Sequence, residues 1–137
     1  MDKKTIIFDL DGTLADIDHR KHFIEGKSQS WTRFYKACVD DKPKQQIIDM
    51  CNILQRSKNI VIFSGRSDEV RCETIDWLLR HGVKYDLLVM RNEGDYTPDQ
   101  DLKKQMLEEH LKKEDVYCVF DDRTKVVNMW RSLGFMC

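Results

Sequence analysis

Asp9 and Asp11 stand one residue apart, preceded by the apolar run Thr5-Ile6-Ile7-Phe8 and followed by Gly12-Thr13. The run has the composition of a buried strand, and it stops where charge begins. In an open α/β sheet, ligands bind outside the carboxyl ends of the strands, so both carboxylates are expected to stand at a site. Two carboxylates so close repel unless a cation sits between them or one keeps its proton. Mg2+ answers the first need, being a hard cation that combines one or two carboxylates with substrate phosphate. The chemistry this allows is phosphoryl transfer, with one Asp attacking phosphorus and the other shuttling a proton. The same residues also read as an acidic βα turn, with Gly12 supplying a positive φ and Thr13 capping a helix.

Two more strand ends carry polar chemistry. Asn59-Ile60-Val61-Ile62-Phe63 breaks into Ser64-Gly65-Arg66-Ser67. There the Ser64 hydroxyl and the Gly65 N–H suit phosphate oxygens, Arg66 offers a bidentate fork, and Ser67 reads as a helix cap. Val116 to Phe120 ends in Asp121-Asp122-Arg123-Thr124. Lys103 falls in the first turn of a helix expected over Asp101 to Lys113, where the helix dipole disfavours a cation. Neutralising a phosphate is one reason for it to be there, and plain solvation is another; Lys104 is adjacent.

The elements that would position these groups follow from periodicity. A third strand is expected from Tyr85 to Met90, running into Arg91 and a polar loop as far as Asp99. A helix opened by Pro43 presents Ile47, Met50, Cys51 and Leu54 on one face; another over Asp68 to His81 presents Val70, Ile75, Leu78 and Leu79. Leu102, Met106, Leu107 and Leu111 face inward from the helix that carries Lys103. Val126, Val127, Trp130 and Leu133 do so from a last helix closed by Gly134. Four strands alternating with helices imply a parallel sheet, and right-handed crossovers allow the first and fourth strands to lie side by side. Asp9, Asp11, Asp121 and Asp122 then converge in one crevice, and so much like charge calls for a divalent cation.

Ala15 to Lys42 shows no strand pattern, and 16–42 reads as a small helical insertion over the site. Two short helices are expected in it, the second capped by Ser30. His19 and His22 are three apart and either ligate a metal or face solvent or substrate. Arg20, Lys21 and Arg33 among aromatics suggest a phosphate-and-base platform, or else an amphipathic pair covering a sheet edge. Trp31, Phe34 and Tyr35 read either as core or as a base-stacking surface.

A chain of 137 residues, 41% hydrophobic, suits one domain spanning 1–137 with one core and one site. With 23 basic and 24 acidic residues its net charge is −1, so no global field draws it to nucleic acid or membrane. No apolar run approaches membrane-spanning length, and Met1-Asp2-Lys3-Lys4 leads straight into a strand, which points to a cytoplasmic protein. The cysteines are odd in number and widely spaced, which argues against a disulfide framework or zinc site and for mostly core roles. Nothing points to an obligate protein partner.

Asp9-Leu10-Asp11-Gly12-Thr13 also resembles the first motif of the haloacid dehalogenase-like (HAD) phosphohydrolases. More narrowly, the chain resembles the 3′-phosphatase domain of bacteriophage polynucleotide kinases. That likeness rests on Ser64-Gly65-Arg66, on Arg91-x-x-Gly94-Asp95 with Lys103 following, and on Phe120-Asp121-Asp122-Arg123-Thr124-x-Val126-Val127-x-Met129-Trp130-Arg131. The resemblance implies a three-layer α/β/α Rossmann-like fold and Mg2+-dependent hydrolysis of phosphomonoesters through an aspartyl-phosphate. It makes Asp9 the nucleophile, Asp11 the general acid and base, and Ser64 a phosphate donor. Lys103 becomes the neutralising lysine, with Asp9, Asp11, Asp121 and Asp122 as the metal set, and Arg66, Arg91 and Arg123 assisting substrate or site structure. The expected substrates are nucleic-acid 3′-phosphate ends or nucleotides. A nucleoside 5′-monophosphatase or other small-molecule phosphatase is the alternative, and a receiver-type phospho-accepting domain is the remote one. No Gly-x-x-x-x-Gly-Lys phosphate loop is present, so 5′ phosphorylation is not expected.

Overall fold

The computed structural model describes residues 3–137, so the Met1-Asp2 start lies outside the described residues. Strands β1 (Thr5–Asp9), β4 (Asn59–Ser67), β5 (Leu87–Arg91) and β6 (Val116–Phe120) form one parallel sheet in the order β5-β4-β1-β6. The first and last of these are neighbours, as the topology requires for convergence of their acidic ends. Two short strands, β2 (Ala15–Asp16) and β3 (Lys42–Pro43), pair antiparallel where no strand was legible. They clip together the two ends of the insertion. Pro43 therefore lies in a strand rather than opening a helix, and α2 starts two residues later (Gln45–Leu54).

The sheet is covered on both faces, which is why its strands read as continuous apolar runs rather than alternating ones. Ile6 and Phe8 of β1, Ile60 and Ile62 of β4, and Leu88 and Met90 of β5 pack with Ile48 and Cys51 of α2 and with Trp77 and Leu78 of α3 (Arg71–Arg80). On the other face Ile7, Val61, Phe63 and Val119 meet Leu102, Met106 and Leu107 of α4 (Asp99–His110) and Val126 and Trp130 of α5 (Thr124–Ser132). This is the three-layer α/β/α architecture. The buried Trp130 indole N–H has no hydrogen-bond partner among the described residues, and the Phe135 ring lies edge-on to the indole at 5.9 Å.

Some faces differ from the periodic reading. Ile75 and Leu79 of α3 are exposed, and Thr74 and Trp77 are buried in their place, because the helix begins at Arg71 after a single 3-10 turn over Asp68–Val70. Met50 of α2 is likewise exposed and Ile48 buried. The insertion holds a 3-10 segment (Asp18–Ile24), α1 (Trp31–Lys36) and a 3-10 turn (Ala37–Asp40). Ser30 caps α1 as expected, its Oγ accepting from the Arg33 N–H at 3.3 Å.

Candidate active site

Asp9 is the last residue of β1, and its neighbour Phe8 is in register with Phe120, so Asp9 and Asp121 leave adjacent strands at the same level. The Phe8 and Phe120 rings stack at 4.6 Å in the core on the α2 and α3 side of the sheet. From the opposite layer, the fifth residue of α4 reaches in. Lys103 Nζ lies 2.6 Å from Asp9 Oδ1 and 2.9 Å from Asp121 Oδ2, with all three side chains almost wholly buried. Lys104 is exposed, so the geometry separates the two lysines. Thr13 donates its hydroxyl to Asp9 Oδ2 at 3.2 Å instead of capping a helix. Asp121 Oδ1 accepts from the Asp122 N–H at 2.9 Å, which fixes the acidic turn.

Gly12 brings the third acid close. It sits at φ +85°, and a Cβ there would fall 1.9 Å from Asp122 Oδ2, so only glycine lets the β1 turn and the β6 turn approach so nearly. Oxygens of Asp9, Asp121 and Asp122 all lie within 4.8 Å of one another. Three carboxylates thus face the single Lys103 ammonium. Burial pushes the Asp9 carboxyl well above the usual carboxylate range; the Lys103 ammonium pulls it back and the Asp121 charge adds to the rise. Burial acts to lower the Lys103 ammonium, but Asp9 and Asp121 outweigh it and hold its pKa raised. A donor set made only of carboxylate oxygens, with negative charge left over, fits a hard divalent cation.

The Asp11 carboxylate does not join that cluster, although the sequence reading groups it with the metal-ligating carboxylates. Its Oδ1 accepts from Arg20 Nη2 at 2.9 Å and from Arg66 Nε at 2.8 Å. Burial alone would raise the Asp11 carboxyl, but the Arg66 and Arg20 guanidinium groups outweigh it and hold it below the usual range. Both arginines also grip Asp41: Arg20 Nε reaches Oδ1 at 2.8 Å and Arg66 Nη2 reaches Oδ2 at 2.8 Å. Arg66 Nη1 donates to Thr74 Oγ1 at 3.2 Å, and Arg20 Nη1 to the Phe34 carbonyl at 3.1 Å. Arg20 and Arg66 are completely buried. The Arg66 guanidinium is thus taken up by Asp11, Thr74 and Asp41 instead of standing open as a fork, and Arg20 is no part of an exposed phosphate platform. His19 Nε2 lies 2.7 Å from Asp41 Oδ1, so it serves this network and no metal cluster among the described residues includes it.

What aims Arg66 is a break in pairing. The β4–β5 register shifts between Ser64 and Ser67, and this bulge turns the strand end so that Arg66 points into the protein. Ser64 is buried beside Asp9's strand, its Oγ accepting from the Arg66 N–H at 3.1 Å, which leaves its own O–H to donate. Ser67 caps the next turn through the Glu69 N–H at 3.3 Å. Gly65 packs against Asp99, where a Cβ would meet Oδ1 at 2.8 Å. Arg91 donates to the Gly65, Asp95 and Thr97 carbonyls and to Asp99 Oδ1. Arg123, largely exposed, pairs with the other oxygen of Asp99. Arg91 and Arg123 thus share one carboxylate that the sequence reading left in a loop. Asp41, Thr74 and Asp99 were missed, and Thr13 was read as a helix cap; nothing local marks Asp41 apart from the exposed Asp40 beside it.

Residues 3–137 match the family described as the polynucleotide kinase PNKP phosphatase domain. The chain belongs to that family. It is a phosphatase with the HAD-like fold, and the receiver-type reading is set aside. The PNKP phosphatase assignment agrees with a relative from Autographa californica nuclear polyhedrosis virus named "Putative bifunctional polynucleotide kinase/RNA ligase", 32% identical over 136 residues that make up 95% of this chain and 18% of the relative. The solved "Pnkp1/Rnl/Hen1 RNA repair complex" contains a chain that superposes with a TM-score of 0.84 at 27% identity, over 100% of this chain and 43% of that one. A haloacid dehalogenase-like family hydrolase from Streptococcus pneumoniae shares the fold at a TM-score of 0.67 and 18% identity, covering 97% of this chain and 82% of its own. This PNKP-type phosphatase chain therefore spans less than half the length of the viral relative and of the repair-complex chain. Among the described residues no helix is long and apolar enough to cross a membrane.

Proposed function

We propose that this chain is a Mg2+-dependent phosphomonoesterase that removes phosphate from nucleic-acid ends, 3′-phosphate ends foremost, through an aspartyl-phosphate on Asp9. The observation that carries the reading is the segregation of the two aspartates: Asp9 stands with Lys103, Asp121 and Asp122, while Asp11 stands with Arg20 and Arg66. One environment suits a nucleophile facing a charged phosphoryl group, and the other suits proton transfer.

Asp9 supplies an oxygen that attacks phosphorus as the bond to the leaving oxygen breaks. That oxygen keeps the bonding pair and takes a proton from Asp11. Arg20 and Arg66 hold Asp11 in a fixed place for this exchange and stabilise the carboxylate it leaves. Asp11 next takes a proton from water as the water oxygen attacks the aspartyl-phosphate; the phosphorus–Asp9 bond breaks, free phosphate departs, and Asp11 is protonated again. Lys103 holds Asp9 in position and offers its charge to the transferring oxygens, and Ser64 donates its hydroxyl to them. Asp9, Asp121 and Asp122 would hold Mg2+, which when bound supplies further charge neutralisation to the phosphoryl group.

The test is phosphate release, with magnesium and with chelator, from oligonucleotides phosphorylated at the 3′ or 5′ end and from nucleoside 3′- and 5′-monophosphates. Magnesium-dependent release favouring 3′-phosphorylated oligonucleotides is expected, and Asp9→Asn should abolish it while leaving the folded protein intact by circular dichroism. A preference for free 5′-monophosphates would move the substrate to nucleotides and keep the chemistry. Appreciable turnover by Asp9→Asn would overturn the nucleophile assignment.

A further inference from the structure

Two consecutive residues of the insertion converge on one oxygen. Arg20 Nε reaches Asp41 Oδ1 at 2.8 Å, and His19 Nε2 reaches the same atom at 2.7 Å. A carboxylate only accepts, so Nε2 carries a proton and donates it to this bond whether the His19 ring is neutral or charged. Asp41 Oδ2 accepts from Arg20 Nη2 at 2.9 Å and from Arg66 Nη2 at 2.8 Å. These N–H groups fill the about four lone-pair sites that a carboxylate offers, and the Asp41 side chain is wholly buried among them. His19 is the member that solvent reaches, at 38% exposure. Two guanidinium groups and two carboxylates already balance in charge, so His19 supplies a donor that the balance does not require.

Both guanidinium groups that Asp41 holds also hold Asp11, and both do so at Oδ1: Arg20 Nη2 at 2.9 Å and Arg66 Nε at 2.8 Å. No hydrogen bond among the described residues takes Asp11 Oδ2, which leaves that oxygen to carry a proton. Where Oδ2 points depends on the two arginines, and where they stand depends on Asp41. An empty site on Asp41 Oδ1 would let that carboxylate turn and take Arg20 with it. We propose that His19 is a positioning residue for proton transfer: by filling the remaining acceptor site of Asp41 it fixes the Arg20–Asp41–Arg66 frame that presents Asp11 Oδ2 to the leaving oxygen. This rests on the reading that Asp11 protonates the leaving group. His19 itself hydrogen-bonds neither Asp11 nor the cluster of Asp9, Asp121 and Asp122, so its effect passes through Asp41.

In the step concerned, the phosphorus–oxygen bond breaks with its electron pair going to the leaving oxygen, which takes the proton from Asp11 Oδ2. An oligonucleotide 3′-oxygen is a poor anion and needs that proton, whereas p-nitrophenyl phosphate releases a stabilised phenolate that does not. The experiment measures the single-turnover rate constant for release of each alcohol, with enzyme saturating, in wild type, His19→Ala, His19→Gln and Asp11→Asn; this isolates chemistry from binding. In His19→Ala the ratio of the oligonucleotide rate constant to that of the aryl ester should fall about tenfold, a part of the roughly 10²–10⁴ that a positioned general acid supplies. His19→Gln, whose amide N–H can still donate to Asp41, should recover most of the ratio. A purely structural His19 would lower Tm on substitution and leave the ratio where it was, which overturns the proposal. A His19 that binds substrate would raise the enzyme concentration for half-saturation with no change in the ratio at saturation, and this overturns it too. Failure of the underlying reading looks different. Asp11→Asn should lower the same ratio further than His19→Ala does; if it slows both esters alike, Asp11 is not the proton donor and the proposal is overturned with that reading.

Discussion

The two catalytic candidates one residue apart are driven in opposite directions by what surrounds them. Asp9 is held up by burial and by a second acid, against the pull of Lys103. Asp11 is held down by two arginines, against the effect of burial. Strand alternation would put residues i and i+2 on one face, but β1 ends at Asp9 and Asp11 lies in the turn beyond it, so the two diverge. Lys103→Ala is expected to cut kcat by about 10²–10³, in the range of losing one charged donor to the transition state. Lys104→Ala should leave it unchanged. A reversed outcome in steady-state kinetics would show that the exposed lysine is the one that meets phosphate. Asp11 also makes a statement about acid stability. Its folded-state pKa is depressed, so its contribution is present above the ordinary carboxylate range near ~4 and is lost as pH falls through the lower folded value. Asp11→Asn should therefore weaken the protein at neutral pH and cost progressively less at lower pH in denaturation series. A difference that does not shrink on acidification would show that the arginines stabilise Asp11 by packing rather than by charge.

At the level of elements, the strands were legible because burial on both faces leaves an unmistakable apolar run. Three of the four strand ends announced their chemistry in the residues that follow. Ser64 to Ser67 was legible as a phosphate-type loop, yet the role of Arg66 was not, because a register shift between β4 and β5 decides where that side chain points. The insertion was the least legible part. Its two-residue strands carry no periodicity, and the ionic partners Arg20, Asp41 and Arg66 are joined by contacts that span 21 and 25 residues. Helix starts were placed within three residues: α3 opens at Arg71 after a 3-10 turn where Asp68 was expected, and α2 opens at Gln45 after Pro43, which is a strand residue. The acidic turns themselves make a prediction. Gly12→Ala puts a Cβ onto the Asp122 carboxylate from a backbone at φ +85°. Strain of about 1–3 kcal/mol is expected together with displacement of Asp122. The magnesium concentration for half-maximal activity should rise along with the loss in Tm. An unchanged magnesium requirement would place Asp122 outside the metal set.

Over the whole molecule, the phosphatase consists of a three-layer body and a small insertion, which meet through apolar packing of Cys38, Ile17 and Tyr35 on the core and through a buried polar network. Arg20 and Asp41 come from the insertion and Asp11 and Arg66 from the body, so two guanidinium groups and two carboxylates alternate across the junction. The Trp77 indole N–H donates to the Asp41 carbonyl at 2.9 Å and Arg80 to the Val39 carbonyl at 3.1 Å, fixing the same segment to α3. A buried network of this type adds little stability when complete, but removing one member leaves an uncompensated charge. Asp41→Asn would leave two buried guanidinium groups facing the single Asp11 carboxylate. We expect a loss of about 3–5 kcal/mol in chemical denaturation, with a fall in kcat because Arg20 and Arg66 no longer hold Asp11 in a fixed place. Arg20→Gln in the same chain should restore the balance of charge, so the double variant is expected to be less destabilised than the sum of the two single ones. Strict additivity would mean that the insertion is anchored through Trp77 and Arg80, and that the alternating charges orient Asp11 without holding the two parts together.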